Sequence, residues 1–427
     1  MANTFSKSVG AWISPERRPL TVLLSTSFIS LISNQLTALA VPWFVLVLTG
    51  SATKMGITAA APLLPAVVMT FLGGALADRT NERRMSAFAD VLSGVTVALV
   101  PLLYVLGYLN FPLLLALMVA GALFDTPGYS ARAKLVPKLA ERGGVEIERV
   151  TSLQGAFSAV SSLFGAILAG VLISTLGATN VLWINAAAFA LSAITMLTLI
   201  PEMQIPREAV PSVLEDIRIG LRYVKKSALI SSLIVTALVI NGLLAPFMAV
   251  LLPYLAKMEW DSATRYGLMV SGFGAGALIG SVAVGALTDR VRRSTIVRLS
   301  IVLLSVPVFA FVAIPGIAVA WVSAFLIGVG MGMVNPVIHA LMYRVTDPEI
   351  LGRVHGVIGA GAMIASPLGI ILITPFLEEF GLAPSFLIIA GSLTIFGLWL
   401  LFFSPFVREV DTVSESLTGS DKETAVT

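Results

Sequence analysis

Long apolar stretches separated by short polar segments run along almost the whole chain. A helix that crosses a bilayer needs roughly 20 mostly apolar residues, and the chain has about a dozen such stretches. Because backbone polar groups cannot be left unsatisfied in lipid, we expect these stretches to be helices. The pattern predicts twelve spans, at roughly 20–46, 54–77, 85–107, 111–132, 151–174, 178–200, 228–255, 262–288, 294–313, 316–342, 355–376 and 381–404.

Composition supports a membrane protein and excludes several other classes. Of 427 residues, 57% are hydrophobic and 12% are charged, and the mean hydropathy is +0.95. This excludes a soluble enzyme, a disordered chain and a nucleic-acid binder. There is no cysteine and there are only two histidines, so we expect no disulfide, no thiol or zinc chemistry, no metal and no enzymatic activity.

The distribution of basic residues predicts the orientation. If the N-terminus is cytoplasmic, 24 of the 27 Lys and Arg residues fall on the inner side, and only Lys54, Lys257 and Arg265 fall outside. Such a bias is typical of cytoplasmic loops. It predicts an even number of spans with both termini in the cytoplasm. The first apolar run is too long for a signal peptide, and we interpret it as a permanent span.

An internal repeat divides the chain into two halves. Residues match at a constant offset of 211, which is close to half the length, and internal repeats are typical of secondary transporters. The predicted fold is an all-α membrane protein with twelve transmembrane helices in two six-helix, pseudo-symmetric bundles. The matching residues are Pro42 and Pro253, Gly56 and Gly267, Gly74 to Leu76 and Gly285 to Leu287, Asp78-Arg79 and Asp289-Arg290, Pro137 and Pro348, and Arg142 and Arg353.

Polar segments set the predicted domain boundaries. The linker between the halves has the form of a capping box at Ser212 to Glu215, and Leu214, Ile217, Leu221 and Val224 follow on one face of a basic amphipathic helix. A bare solvated linker is the alternative. The predicted segments are a cytoplasmic N-terminus at 1–19, an N-terminal bundle at 20–200, a cytoplasmic linker at 201–227, a C-terminal bundle at 228–404 and a cytoplasmic tail at 405–427.

The segment Gly74-Ala75-Leu76-Ala77-Asp78-Arg79, followed by Arg83-Arg84, resembles the signature loop of the major facilitator superfamily. Within that superfamily the chain is similar to the proton-driven macrolide and multidrug efflux branch, which includes Tap-type and enterobactin-exporter-like members. The narrower resemblance rests on Val41-Pro42-Trp43, Leu48 to Ala52, Pro127-Gly128, Ala131-Arg132, Leu135 to Pro137, Gly220 to Val224 and Gly352 to Val354.

The resemblance implies a secondary active transporter in the plasma (inner) membrane of a bacterium. It would export lipophilic or amphiphilic small molecules of the drug or macrolide type by alternating access, as a proton antiporter. Some residues depart from the family pattern. Asn81 and Glu82 replace residues common in the loop, span 4 has no Arg before Arg132 at its predicted inner end, and span 5 lacks a Gly-Pro pair.

The signature loop and its repeat form a candidate gate. Asp78 can accept hydrogen bonds from a facing helix N-terminus, where the helix dipole favours an anion, and the nearby Arg residues can pair with acids across the seam between the halves. Alternatively, the basic residues only fix the topology. The candidate gating residues are Gly74, Asp78, Arg79, Arg83, Gly285, Asp289, Arg290 and Arg293.

Asp125 is the candidate proton-coupling residue. It lies about 10 Å deeper along the helix than Arg132, at a depth where ionisable residues are rare and usually face a cavity or a partner. A carboxyl group removed from water holds a proton more readily, as a proton carrier must. The alternative is a structural acid paired with Arg132. We expect Asp90 to pair with Arg83 or Arg84.

Polar residues within the spans are candidates for a substrate cavity. In the family, spans 1, 4, 7 and 10 line that cavity; interhelical hydrogen bonding is the alternative role. The candidate cavity residues are Asn34, Gln35, Asp125, Asn241, Asn335 and His339.

Two classes of function remain open for the sequence. The first is a transporter, and the second is a membrane-embedded enzyme or sensor, for which clustered nucleophiles and a soluble sensor domain are missing. Among transporters, the alternative is a carrier of a lysolipid, a siderophore or another metabolite, with symport as one of its modes.

There is no Walker loop, so we expect that ATP is not the energy source. We expect a monomer whose partners are a small-molecule substrate, protons and the lipid bilayer. We expect no nucleic acid and no cofactor. The absence of a basic residue deep in a span favours neutral or cationic amphiphiles.

Overall fold

A computed structural model describes residues 14–69, 81–203, 213–288, 290–347, 350–404 and 406–407. Helices make up the described elements: α1 (Arg18–Thr49), α2 (Ala52–Ala60), α3 (Glu82–Val105), α4 (Phe111–Ala122), α5 (Asp125–Arg142), α6 (Ile147–Leu176), α7 (Ala178–Leu199), α8 (Val213–Lys226), α9 (Ala228–Pro246), α10 (Leu252–Met258), α11 (Ala263–Leu287), α12 (Arg293–Ser305), α13 (Ile317–Val345), α14 (Leu351–Phe380) and α15 (Leu382–Phe403). A π-helical turn, Phe247–Leu251, joins α9 to α10, and a 3₁₀ stretch, Val306–Ala313, follows α12.

Within these described ranges, twelve helical stretches are long and apolar enough to cross a membrane. The predicted all-α membrane fold with twelve spans is therefore confirmed. Most predicted ends fall within a few residues of the helix ends, because the apolar run and the helix stop together where polar residues begin.

The fourth span differs from its prediction, 111–132. It continues to Arg142, so that the whole stretch is Phe111–Arg142. The hydropathy pattern stops at the first basic residue, whereas the backbone hydrogen bonding continues for almost three more turns. This span is interrupted at Leu123 and Phe124, between α4 and α5. Pro127 lies in the first turn of α5, where a missing N–H removes no helical bond.

The chain divides into two compact units. The first comprises residues 1–50 and 61–210, and the second comprises residues 51–60 and 211–427. In the first unit, α1 packs against α6 and α7, and α3 packs against α4, α5 and α7. In the second unit, α9 packs against α14, and α12 packs against α13. The pairs α1–α6 and α9–α14 correspond in the repeat, as do α3–α5 and α12–α13.

Glycines bring α11 and α13 into backbone contact within the second unit. A Cβ added at Gly276 would overlap the Phe325 carbonyl oxygen, and one added at Gly328 would overlap the Phe273 carbonyl oxygen. Small residues at such interfaces let helices approach closely in a membrane, where packing rather than water exclusion drives association.

The linker helix α8 packs on α14 of its own unit. Val224 lies in a buried cluster with residues of α9, α13 and α14, and the Tyr223 hydroxyl donates to the Val345 carbonyl (3.1 Å). Leu221, which the sequence places on the same apolar face, is 45% exposed. The side chains of Leu214 and Ile217 and the predicted capping residue Ser212 lie outside the described parts.

An apolar cluster fills one end of the first unit and supports the cavity described below. It combines the first turns of α1, α3 and α6 with the last turns of α5 and α7. Its buried members are Leu20, Leu23, Leu24, Ala87, Leu135, Val136, Leu139, Ala140, Val150, Met196 and Ile200.

Candidate functional site

A cavity of about 550 Å³ lies within the first unit, between α1, α3, α5, α6 and α7. Its wall is mostly apolar, with a few polar and charged groups, which is typical of small-molecule sites. The lining residues are Ser27, Ser30, Leu31, Asn34, Ser86, Ala89, Asp90, Asp125, Gly128, Tyr129, Arg132, Ala133, Val136, Pro137, Ile147, Thr151, Gln154, Gly155, Phe157, Ser158 and Phe189.

Arg132 is held in the wall of this cavity by groups from three other helices. Its Nε donates to Ser86 Oγ on α3 (2.7 Å), and its Nη1 donates to Ser30 Oγ on α1 (2.6 Å). Its Nη2 donates to Asp90 Oδ2 on α3 and, at 3.3 Å, to Ser192 Oγ on α7. The guanidinium group is therefore committed at each of its nitrogens.

Asp90 and Arg132 form a buried ion pair. The Asp90 side chain is 7% exposed and that of Arg132 is 11% exposed. Ser192 Oγ also donates to Asp90 Oδ2 (2.6 Å), so the pair has the additional hydrogen bonds that a buried pair needs. Asp90 is in a structural ion pair, as expected, but its partner is Arg132 rather than the nearby Arg83 or Arg84, because α3 turns Asp90 toward α5 and α7. The sequence predicts that Arg132 lies at the inner end of its span. In the structure the helix continues for ten residues beyond it.

Asp125 lies at the start of α5, in a different environment. Ser93 Oγ on α3 donates to Asp125 Oδ1 (2.9 Å). In the described part of the chain Asp125 has no ion pair, so the alternative in which it pairs with Arg132 is wrong. The first turn of a helix favours an anion, which gives a lone carboxylate some support.

The charges of the cavity follow from these contacts. Among the lining residues that the structure describes, only Asp90, Asp125 and Arg132 carry a formal charge. Since Arg132 neutralises Asp90, one negative charge is left, at Asp125, whenever its carboxyl group is ionised. Phe157, Phe189 and Leu31 supply apolar wall. In the described chain, no group of three or more His, Asp or Glu side chains could hold a metal ion.

The predicted cavity residues are divided between the two units. Asn34 and Asp125 line the cavity of the first unit, but Gln35 is not among its lining residues. The other three belong to the second unit. There Asn241 donates to the Ala237 carbonyl of its own helix (2.8 Å), Asn335 and His339 are exposed on α13, and the His339 ring stacks on His355 with centroids 5.2 Å apart.

Half of the candidate gate lies outside the described residues, namely Gly74, Asp78, Arg79 and Asp289. Arg83 Nη1 donates to the Ile200 carbonyl (2.9 Å), which ties the start of α3 to the end of α7. In the second unit Gly285 and Arg290 are exposed and Arg293 begins α12.

Sequence reasoning missed the Asp90–Arg132 network and Tyr129. Helical spacing could have found them. Asp125, Tyr129 and Arg132 fall at i, i+4 and i+7 on α5, and Ser86, Asp90 and Ser93 have the same spacing on α3, so each set shares a face.

Comparisons with known proteins place these features in a family. A family profile described as transmembrane secretion effector matches residues 11–335, and one described as Major Facilitator Superfamily matches residues 247–424. The chain is 31% identical over 409 residues to the multidrug efflux pump Tap of Mycolicibacterium fortuitum, covering 94% of this chain and 99% of that protein. It is 23% identical over 381 residues to macrolide efflux protein A of Streptococcus pyogenes, covering 86% and 91%.

Solved structures agree on the fold. A crystal structure of the nucleoside transporter NupG matches with a TM-score of 0.74 at 14% identity, over 90% of this chain and 98% of that one. A bacterial homologue of the human lysosomal transporter Spinster, inward-facing and unoccupied, matches with a TM-score of 0.71 at 12% identity, over 94% and 98%.

Proposed function

Since the chain belongs to the major facilitator superfamily and is a multi-pass membrane transporter, we propose that it exports lipophilic or amphiphilic small molecules by alternating access, as a proton antiporter. Multidrug efflux pumps are among its relatives over almost its full length, which supports export of such compounds.

The observation that carries the proposal is the contrast between the two acids of the cavity. Asp90 is bound to a guanidinium group and a hydroxyl, whereas Asp125, which faces the same space, accepts from one hydroxyl among the described residues. A neutral ion pair is suited to a permanent structural role. A carboxyl group with no fixed counter-ion is suited to binding and releasing a proton, because its proton affinity changes when water or a cation enters the cavity.

The exchange would proceed at Asp125. With a proton bound to Asp125, the cavity is neutral. It then either holds an uncharged compound against its apolar wall or stays empty. When the proton leaves, the remaining negative charge attracts a cationic amphiphile, whose apolar part packs against Phe157 and Phe189. The proton and the cation then compete for the same carboxylate, so that export of the cation is coupled to entry of the proton.

We also propose that the chain is a monomer in the plasma (inner) membrane of a bacterium, with both termini in the cytoplasm. The strong bias of Lys and Arg toward the predicted inner segments, 24 of 27, supports this orientation.

Transport into proteoliposomes tests the proposal. Inside-out vesicles with an acidic lumen are given a lipophilic monocation such as tetraphenylphosphonium, with and without the pH gradient. Wild-type protein should accumulate the cation only with the gradient. Asp125→Asn should abolish gradient-driven accumulation while leaving the yield of folded protein close to that of wild type, because Asn keeps an acceptor for Ser93.

Ser93→Ala is the matched control. It removes the protein donor to Asp125 but keeps the acid, so gradient-driven accumulation should persist. If Asp125→Asn vesicles accumulate the cation at the wild-type level, the coupling role is wrong. A neutral amphiphile of similar size, assayed in parallel, separates charge selectivity from apolar binding.

A further inference from the structure

A carboxylate near the end of α14 binds the start of α2. Ser51 Oγ donates to Glu378 Oε1 (2.6 Å), as does the Thr53 backbone N–H (3.0 Å). Thr53 Oγ1 donates to Glu378 Oε2 (2.6 Å). Both carboxylate oxygens are thus used at a helix N-terminus, where backbone N–H groups lack helical partners and the dipole favours an anion.

A second contact lies one turn further along the same two helices. A Cβ added at Gly56 would lie 2.6 Å from Thr374 Oγ1. Thr374 and Glu378 are four residues apart and share a face of α14, while Ala52 and Gly56 share a face of α2. The two helices therefore meet along matched faces, with close packing below the hydrogen-bonded carboxylate.

The connections of α2 are unusual. Residues 51–60 belong to the second compact unit, whereas the chain before and after them belongs to the first. Gly50 ends α1 in the left-handed conformation, at φ 65°. The α2 segment thus packs against α14 within the second unit, while the chain on either side of it is assigned to the first.

The internal repeat keeps the start of α2 but not the acid that binds it. Ser51 to Lys54 (Ser-Ala-Thr-Lys) matches Ser262 to Arg265 (Ser-Ala-Thr-Arg) at the offset of 211. Each serine caps its own helix: Ser51 Oγ accepts from the Lys54 N–H (3.1 Å), and Ser262 Oγ accepts from the Arg265 N–H (3.4 Å). The residue that corresponds to Glu378 is Ile167. The Glu378 carboxylate therefore has no counterpart at the corresponding position of the other half.

We propose that Glu378 is a latch that holds α2 on α14 and releases it each time the transporter opens at this end of the spans. The inference uses the alternating access of the proposed function but does not depend on its proton coupling. The latch is suited to repeated opening because Glu378, Ser51 and Thr53 are all accessible to water, which replaces the broken hydrogen bonds at low cost. The Gly56–Thr374 contact returns α2 to the same register on closing.

Thiol labelling tests the latch, and the absence of native cysteine makes it direct. Ala52, at the start of α2, is 0% exposed, so an Ala52→Cys variant should react slowly with a membrane-impermeant maleimide. Adding Glu378→Ala should speed the labelling about tenfold, which corresponds to about 1.4 kcal/mol in the opening equilibrium. Adding Glu379→Ala, which removes the neighbouring exposed acid, should leave the rate unchanged.

Two further variants keep the proposal testable if Glu378→Ala fails to fold. Ser51→Ala/Thr53→Val removes the hydroxyl donors and keeps the acid, and it should also speed labelling of Ala52→Cys. Oxidation of Gly56→Cys/Thr374→Cys, whose Cβ atoms would lie 3.2 Å apart, should stop transport until a reductant is added.

Equal labelling rates with and without Glu378, or full transport by the oxidised double-cysteine variant, would overturn the latch. The labelling is measured in the absence of substrate and of a pH gradient, so it needs neither transport nor proton coupling. A failure of proton coupling at Asp125 therefore leaves this result unchanged, and a failure of the latch leaves the coupling result unchanged.

Discussion

Replacing Asp90 by asparagine would leave Arg132 in the cavity wall without its counter-ion. The two side chains are 7% and 11% exposed, so water can replace little of the lost interaction. Removing one partner of a buried ion pair typically costs about 3–5 kcal/mol. Because the new amide would still accept one hydrogen bond and three serines would still bind the guanidinium group, we expect a cost at the lower end, about 3 kcal/mol. Asp125→Asn removes no ion pair, and its cost should stay below about 1 kcal/mol.

Unfolding in mixed micelles, followed by circular dichroism, measures both free energies. The double variant Asp90→Asn/Arg132→Gln should recover part of the loss, because it leaves no unpaired charge, and the two single effects should be clearly non-additive. An Asp125→Asn variant as unstable as Asp90→Asn would refute the division of labour between the two acids. So would strict additivity of Asp90→Asn and Arg132→Gln.

Two pairs of substitutions test the gate and the packing. Asp78→Asn should insert and express normally but slow transport several-fold, with a smaller effect for Asp289→Asn; wild-type turnover in a well-folded Asp78→Asn protein would contradict the gating role. Gly328→Leu should lower the folded yield sharply because α13 cannot move away from the Phe273 carbonyl on α11, whereas Gly285→Leu, with no atom within 4 Å of the added Cβ, should fold normally; thermal stability in detergent compares them.

The fold could be predicted from the sequence because its determinants are local or repeated. A run of apolar residues gives the number of spans directly, and the 211-residue offset indicates two related halves. The error in span 4 has a physical cause. Hydropathy reports where lipid contact ends, but a helix ends where its backbone bonding ends, and the last part of α5 lies beyond the apolar region.

The candidate site was predicted only in part. Asp125 could be singled out because an acid among apolar residues is rare. The partner of Asp90 could not be found in the same way, since it depends on how α3, α5 and α7 rotate against each other. The contact between Glu378 and Ser51 spans 327 residues, and neither residue is unusual for the end of a span. Helical spacing identifies which residues share a face, but only packing shows what each face meets.

The most direct test of proton coupling is the proton movement that a substrate gradient drives. Wild-type proteoliposomes that contain a pH-sensitive dye are given a cationic substrate on one side with no initial pH gradient. The predicted result is a pH change in the lumen that depends on the substrate and is abolished by Asp125→Asn but not by Ser93→Ala. Substrate movement without any pH change in the wild type, or an undiminished pH change in Asp125→Asn, would contradict coupling at this carboxylate.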